Sequence, residues 1–79
     1  MVEPATPSEK LLATIWSELL GIDQVGATDS FLALGGHSLL VMQMSARLRR
    51  EFGSAPPLRK LFEVSNLRDL AALIDSNSS

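Results

Sequence analysis

The chain has 79 residues, no cysteine, one histidine and a formal charge of −2 from 7 Lys and Arg against 9 Asp and Glu. A single domain of this length has a radius of gyration of roughly 12 Å, which leaves little room for a pocket of about 300–1,000 Å³ beside a packed core and argues for a carrier, adaptor or binding module over a self-sufficient enzyme. Without cysteine there is neither a disulfide framework nor a thiolate metal site, one histidine builds no metal cluster, and a pI near 5.2 argues against nucleic-acid binding by charge. Hydrophobic residues make up 46% and mean hydropathy is +0.17, enough for a core. No apolar run approaches the roughly 18 residues of a membrane span. Met1-Val2-Glu3-Pro4 lacks the basic region and apolar stretch of a secretory signal. The expectation is a soluble, cytoplasmic, monomeric domain with no membrane or nucleic-acid partner.

Residues 1–5 and 76–79 are polar or proline-containing without periodicity and are expected to be flexible termini or linker stubs around a domain of residues 6–75. Thr6-Pro7-Ser8-Glu9 opens a first helix: Thr6 can accept from the Glu9 amide, Glu9 can reach back to the Thr6 amide, and Pro7 takes the first helical position. Leu12, Ile15, Trp16, Leu19 and Leu20 then form one apolar face at helical spacing. Gly21 supplies the stop, with Ile22 folding back on Trp16. Residues 22–37 are too irregular for a helix and too rich in Gly, Asp and Ser for a strand. Within them Asp29-Ser30-Phe31-Leu32 is expected to make a short helical turn, with Phe31, Leu32 and Leu34 as anchors on the core. So long a connection in a small domain is usually functional.

A second helix is expected from Ser38 to Phe52, stopped by Gly53, with Arg47, Arg49 and Arg50 in its last turns, where positive charge suits the helix dipole. Pro56 and Pro57 break the chain, and residues 58–63 make at most a short helix dependent on packing. Ser65 caps a final helix carrying Leu67, Leu70, Ala71 and Ile74 at i, i+3, i+4 and i+7. Nothing alternates with a strand's period. The fold class is all-α, a small four-helix bundle of three main helices and one short one.

The segment that carries function is residues 31–40, where Gly35 and Gly36 free the backbone just before the second helix and Ser38 sits at that helix's mouth. A role as N-cap explains Ser38 alone; it leaves the two glycines and His37 unexplained. A nucleophile elbow needs Gly-x-Ser-x-Gly after a strand. Gly36-His37-Ser38-Leu39-Leu40 has no second glycine and no strand before it, and adjacent side chains diverge at a helix start. No catalytic residue is therefore assigned, and His37 is expected to shape the approach to Ser38. Along the second helix Leu40, Val41, Met44, Leu48 and Phe52 form a core face. Leu39, Met42 and Ala46 fall on a neighbouring face beginning beside Ser38 and are assigned to partner docking, with widening of the buried stripe as the competing explanation. The arginine cluster, with Arg59 and Lys60, is taken as a solvated face, with a steering patch for acidic partners as the alternative. A helix-turn-helix needs a turn of about 3–4 residues, far shorter than the connection here.

Leu34-Gly35-Gly36-His37-Ser38-Leu39 resembles the signature of the peptidyl carrier (thiolation) domains of nonribosomal peptide synthetases, within the acyl carrier protein superfamily. The resemblance extends through Ile15-Trp16-Ser17-Glu18-Leu19-Leu20-Gly21, Asp29-Ser30-Phe31, Arg47-Leu48-Arg49-Arg50-Glu51-Phe52-Gly53 and Pro57-Leu58-Arg59-Lys60-Leu61-Phe62-Glu63. It implies a right-handed bundle in which Ser38, flanked by Gly35, Gly36 and His37, receives 4′-phosphopantetheine from coenzyme A through a phosphopantetheinyl transferase. The chain would then be a non-catalytic carrier, without metal, that holds aminoacyl or peptidyl groups as thioesters in secondary-metabolite assembly. Adenylation, condensation and thioesterase-type domains would be its partners, and positions matching Leu39, Met42 and Ala46 face partners in such carriers. Fatty-acid carriers tend to have Asp before the serine, where this chain has His37. The alternative is a small helical protein-interaction module without a covalent cofactor.

Overall fold

The computed structural model describes residues 2–77, the last of them by its backbone alone; Met1, Ser78 and Ser79 of the expected stubs lie outside the described residues. Four helices follow in order, α1 (Pro7–Leu20), α2 (Ser38–Phe52), α3 (Leu58–Glu63) and α4 (Leu67–Asn77), and no strand occurs among the described residues. The four-helix, all-α expectation holds. α1 lies between α4 and α2, and α3 packs on α2.

α1 begins as its first residues require. Thr6 Oγ1 accepts from the Glu9 amide at 3.1 Å, and Pro7 is the first helical residue. The return arm differs from the expected one: Glu9 Oε1 accepts from the Ala5 amide at 2.9 Å, one residue before Thr6. The carboxylate is buried beside α4, where its other oxygen lies 3.6 Å from Arg68 Nε, and from there it meets the Ala5 amide. At the far end Gly21 takes the left-handed conformation, φ 69°, and the Gly21 and Ile22 amides donate to the Ser17 carbonyl at 2.9 and 3.2 Å. Both bonds satisfy a carbonyl that the helix leaves open.

The core gathers Leu12, Ile15 and Trp16 of α1 against Val41, Met44 and Leu48 of α2, Leu61 of α3 and the Leu67, Leu70, Ala71, Ile74 face of α4. Leu19, Leu20, Leu40 and Phe52, expected in the core, are half-buried around its rim. The buried indole N–H of Trp16 meets Met44 Sδ at 2.9 Å, a weak acceptor that spares it an empty contact. Between α1 and α2, Glu18 accepts from Arg47 at 2.7 Å, which holds the Arg47 guanidinium above its ordinary pKa. Exposed pairs of this kind add little stability, so the helices are held by their apolar faces.

α4 departs from expectation at both ends. Its cap is Asn66, whose Oδ1 accepts from the Asp69 amide at 2.8 Å, not Ser65. The first amides of α4 are already used, since Leu67 N–H donates to the Asp29 carbonyl at 3.1 Å and Arg68 N–H to the Ala27 carbonyl at 2.8 Å. Those two bonds to the loop fix where the helix starts. Beyond Asp75, where the domain was expected to end, α4 continues through Ser76 to Asn77.

Leu48 is fully buried at the centre of this packing. Leu48→Ala is expected to cost about 2–5 kcal/mol of unfolding free energy by urea titration, a large share of a small domain's stability. A loss below about 1 kcal/mol would mean that the α2 face collapses around the gap.

Candidate functional site

The connection from α1 to α2 is anchored by Phe31. Its ring is buried edge-on against Trp16, with centroids 5.1 Å apart and planes at 62°, an arrangement aromatic pairs favour. The chain then winds tightly: the Leu34 amide donates to the Ser30 carbonyl at 3.0 Å, Gly35 to Leu32 at 3.2 Å and Gly36 to Phe31 at 2.9 Å. Phe31 and Leu34 share one side of this turn, i and i+3 apart. Leu32 points the other way and is exposed, so it is not the third anchor that the sequence suggests.

The two glycines have separate reasons. Gly35 has φ 110°, a conformation that side chains resist. Gly36 lies against Phe31: a Cβ there would stand 2.6 Å from the ring's Cε2, closer still to Cδ2, and 2.7 Å from the Phe31 carbonyl oxygen. That close approach sets how the chain enters α2.

His37, not Ser38, is the N-cap residue of α2, with extended backbone at φ −144° and ψ 179° and no capping hydrogen bond from its side chain. Ser38 is the first helical residue, so its hydroxyl is not spent on a cap. It is exposed. The first bond of the helix runs from the Val41 amide to the His37 carbonyl at 2.8 Å, and the amides before it have no intrahelical partner, with no side-chain cap from His37 and no acidic residue in the first turn. α1 and α4, in contrast, are both capped and carry Glu9 and Asp69 in their first turns. Ser8 donates to Asp75, Ser17 to the Ile22 carbonyl, and Ser45 lies inside; Ser54 and Ser65 are exposed, but neither lies on the first turn of a helix. His37 is exposed beside Ser38, and among the described residues no hydrogen bond joins the two.

Leu39 and Met42 are 58% and 55% exposed, and Ala46 is exposed below them. They form an apolar row leading away from Ser38, separate from the buried Val41, Met44 and Leu48. α3 adds Leu58 and Phe62, exposed while Leu61 between them is buried. The sequence signal for this pair was the i, i+4 spacing, obscured because six residues are too few to define a face. Arg47 is taken up by Glu18 and Glu51 and the exposed Lys60 lies 3.8 Å from Glu63, which leaves Arg49, Arg50 and Arg59 as exposed cations of α2 and α3 outside these ion pairs.

Residues 10–74 match the family described as Phosphopantetheine attachment site. A linear gramicidin synthase protein of Brevibacillus parabrevis is 48% identical over 73 residues, which cover 92% of this chain and 1% of that protein. The chain thus spans a small fraction of that relative's length. A peptidyl carrier protein solved in complex with the phosphopantetheine transferase Sfp and coenzyme A superposes with a TM-score of 0.92 at 34% identity, covering 96% of this chain and 99% of the other. An active-site mutant peptidyl carrier protein in solution gives 0.93 at 35% identity, covering 99% and 87%.

The Phe31–Gly36 contact generates a direct expectation. Gly36→Ala should displace the Phe31 ring and lower stability by about 1–3 kcal/mol, with a change in Trp16 fluorescence, since Phe31 lies against the indole. A variant with unchanged melting and unchanged fluorescence would contradict the close approach.

Proposed function

The chain belongs to the phosphopantetheine-attachment-site family, among the peptidyl carrier proteins, and from that premise we propose that the Ser38 hydroxyl is the attachment point of 4′-phosphopantetheine. One observation carries the assignment: Ser38 is an exposed serine on the first turn of a helix whose N-terminal end has neither a side-chain cap nor an acidic neighbour. The residues fit the group. An unengaged hydroxyl is open to modification, and a phosphodiester beside free helix amides sits where negative charge is favoured, by about 0.3–1 kcal/mol when exposed. That is enough to tolerate the modification without driving it. When attached, the group supplies a terminal thiol that holds an acyl cargo as a thioester.

The chain's own residues do the remaining work without catalysis. Gly35 allows the left-handed turn and Gly36 lets the loop close on Phe31, and His37 holds the backbone extended so that α2 begins at Ser38 itself. α2 is fixed by its buried face, so the attachment point is rigid while the attached arm is free. Tethering of this kind raises cargo concentration at a partner to the order of millimolar, which replaces a binding pocket. Leu39, Met42 and Ala46, with Leu58 and Phe62 of α3, form the apolar surface on which partners dock, and the adaptable Met42 suits several of them. The first partner is a phosphopantetheinyl transferase, supported by the solved complex with Sfp. Adenylation, condensation and thioesterase-type domains are the others, the first supported by the likeness to the McyG A-PCP structure with phenylalanyl-adenylate. Among the described residues no helix is long and apolar enough to cross a membrane; a cytoplasmic location follows from coenzyme A being the donor.

Incubation with coenzyme A and a broad-specificity phosphopantetheinyl transferase should add one phosphopantetheinyl group to the intact mass, and Ser38→Ala should gain nothing. Because the Ser38 hydroxyl is not a cap, this variant should keep its unfolding free energy within about 0.5 kcal/mol. Gain of mass by folded Ser38→Ala would move the attachment elsewhere. Leu39→Asp should slow the transfer while changing stability by no more than about 0.5 kcal/mol; a large loss of stability would return Leu39 to the core.

A further inference from the structure

We propose that residues 2–5 act as a strap whose backbone positions the loop in front of Ser38, making the segment that leads into α1 a positioning element for the attachment site. The observation is a closed circuit of contacts. The Val2 carbonyl accepts from the Ala27 amide at 2.6 Å, and the Ala27 carbonyl accepts from the Arg68 amide at 2.8 Å. The Arg68 guanidinium lies 3.6 Å from Glu9 Oε2, and Glu9 Oε1 accepts from the Ala5 amide at 2.9 Å. Ala5 leads back along the chain to Val2. The circuit joins the strap, the start of α1, the start of α4 and the middle of the loop.

Two members of the circuit are costly to leave unpartnered. Ala27 is 0% exposed and Glu9 6% exposed; a buried amide that loses its acceptor, or a buried carboxylate that loses a donor, destabilises the folded state. Release of Val2 therefore strands the Ala27 amide, and the loop relaxes to reach water. The disturbance has a short route to the site. Two residues on, the Asp29 carboxylate accepts from the Gly26 amide at 2.7 Å and its carbonyl from the Leu67 amide at 3.1 Å. Ser30 then opens the turn that carries Phe31 and Gly36 into Ser38.

The strap is also detachable. Its hydrogen bonds lie at its two ends, Val2 and Ala5, and a cleft of about 320 Å³ opens where Glu3 and Pro4 stand off from Lys10, Ala13 and Val25. Its side chains at Val2, Glu3 and Ala5 are exposed, so it acts through main-chain groups and carries no apolar pattern. Because coupling free energies are reciprocal, a force or partner that lifts the strap loosens the loop, and a partner that clamps the loop holds the strap.

The test is amide hydrogen exchange on the whole chain. Deletion of Val2 and Glu3, which leaves Met1 ahead of Pro4, should speed exchange at Ala27 by about tenfold or more and should also raise it at Leu34 and Gly36. The interior amides of α1 and α2 should keep their protection. Val2→Ser with Glu3→Ser keeps the main chain and should behave as the parent. Glu9→Gln keeps an acceptor for Ala5 and should restore most of the protection lost in Glu9→Ala. Transfer of phosphopantetheine to the deletion variant should show a raised KM for the carrier. That last readout rests on the attachment at Ser38, whereas exchange does not: absence of transfer in every variant would count against the attachment, and equal exchange at Ala27 with and without Val2 would overturn the strap. Uniformly faster exchange across all helices would overturn it too, since the strap would then be only one more contribution to global stability.

Discussion

The ring of Phe31 is the point at which the core reaches the proposed attachment site. On one side it stacks edge-on against Trp16, itself fixed by the α1 face and by Met44. On the other it occupies the space that any side chain at position 36 would need. The loop can therefore come close enough to the bundle to deliver His37 in extended form and begin α2 at Ser38. Move the ring, or give Gly36 a side chain, and the start of α2 loses its register against the core. The position of Ser38 follows from this contact more than from anything Ser38 itself touches.

Against that fixed frame, α2 is left open at one end. The two neighbouring main helices obey the local rules, with Thr6 and Asn66 as caps. α2 forgoes a capping bond commonly worth about 1 kcal/mol and keeps its stabilising features elsewhere, in Gly53 at its C-terminus, in Arg49 and Arg50 of its last turn and in its buried face. A local rule broken at one position in an otherwise consistent fold is where function is expected. The same end is where a phosphodiester is electrostatically welcome. The design needs no enclosed pocket, in keeping with a chain of 79 residues.

The helices were legible because their apolar residues repeat at helical spacing. Leu12, Ile15 and Trp16, and likewise Leu67, Leu70, Ala71 and Ile74, are all buried as their spacing implies. The helix stops at Gly21 and Gly53 were legible because each glycine holds a left-handed conformation. So was the start of α2 at Ser38. The start of α4 was not: Ser65 is a favoured capping residue, yet Asn66 caps the helix. Tertiary bonds to Ala27 and Asp29 decide where it begins, and no local pattern encodes them. The Gly-Gly-His-Ser signature pointed to the site, but only the contact with Phe31 explains why position 36 must be glycine. The hydrogen bonds of Val2 and Ala5 left no trace in composition either, since main-chain groups make them.

The most direct measurement is a nuclear Overhauser spectrum of the protein before and after loading with phosphopantetheine. Cross-peaks from the Phe31 ring to the Gly36 α-protons and to the Trp16 indole should be present in both states. A mobile Phe31 without contact to Gly36, in a protein that still loads at Ser38, would contradict it, because the attachment point would then be held by something other than the core.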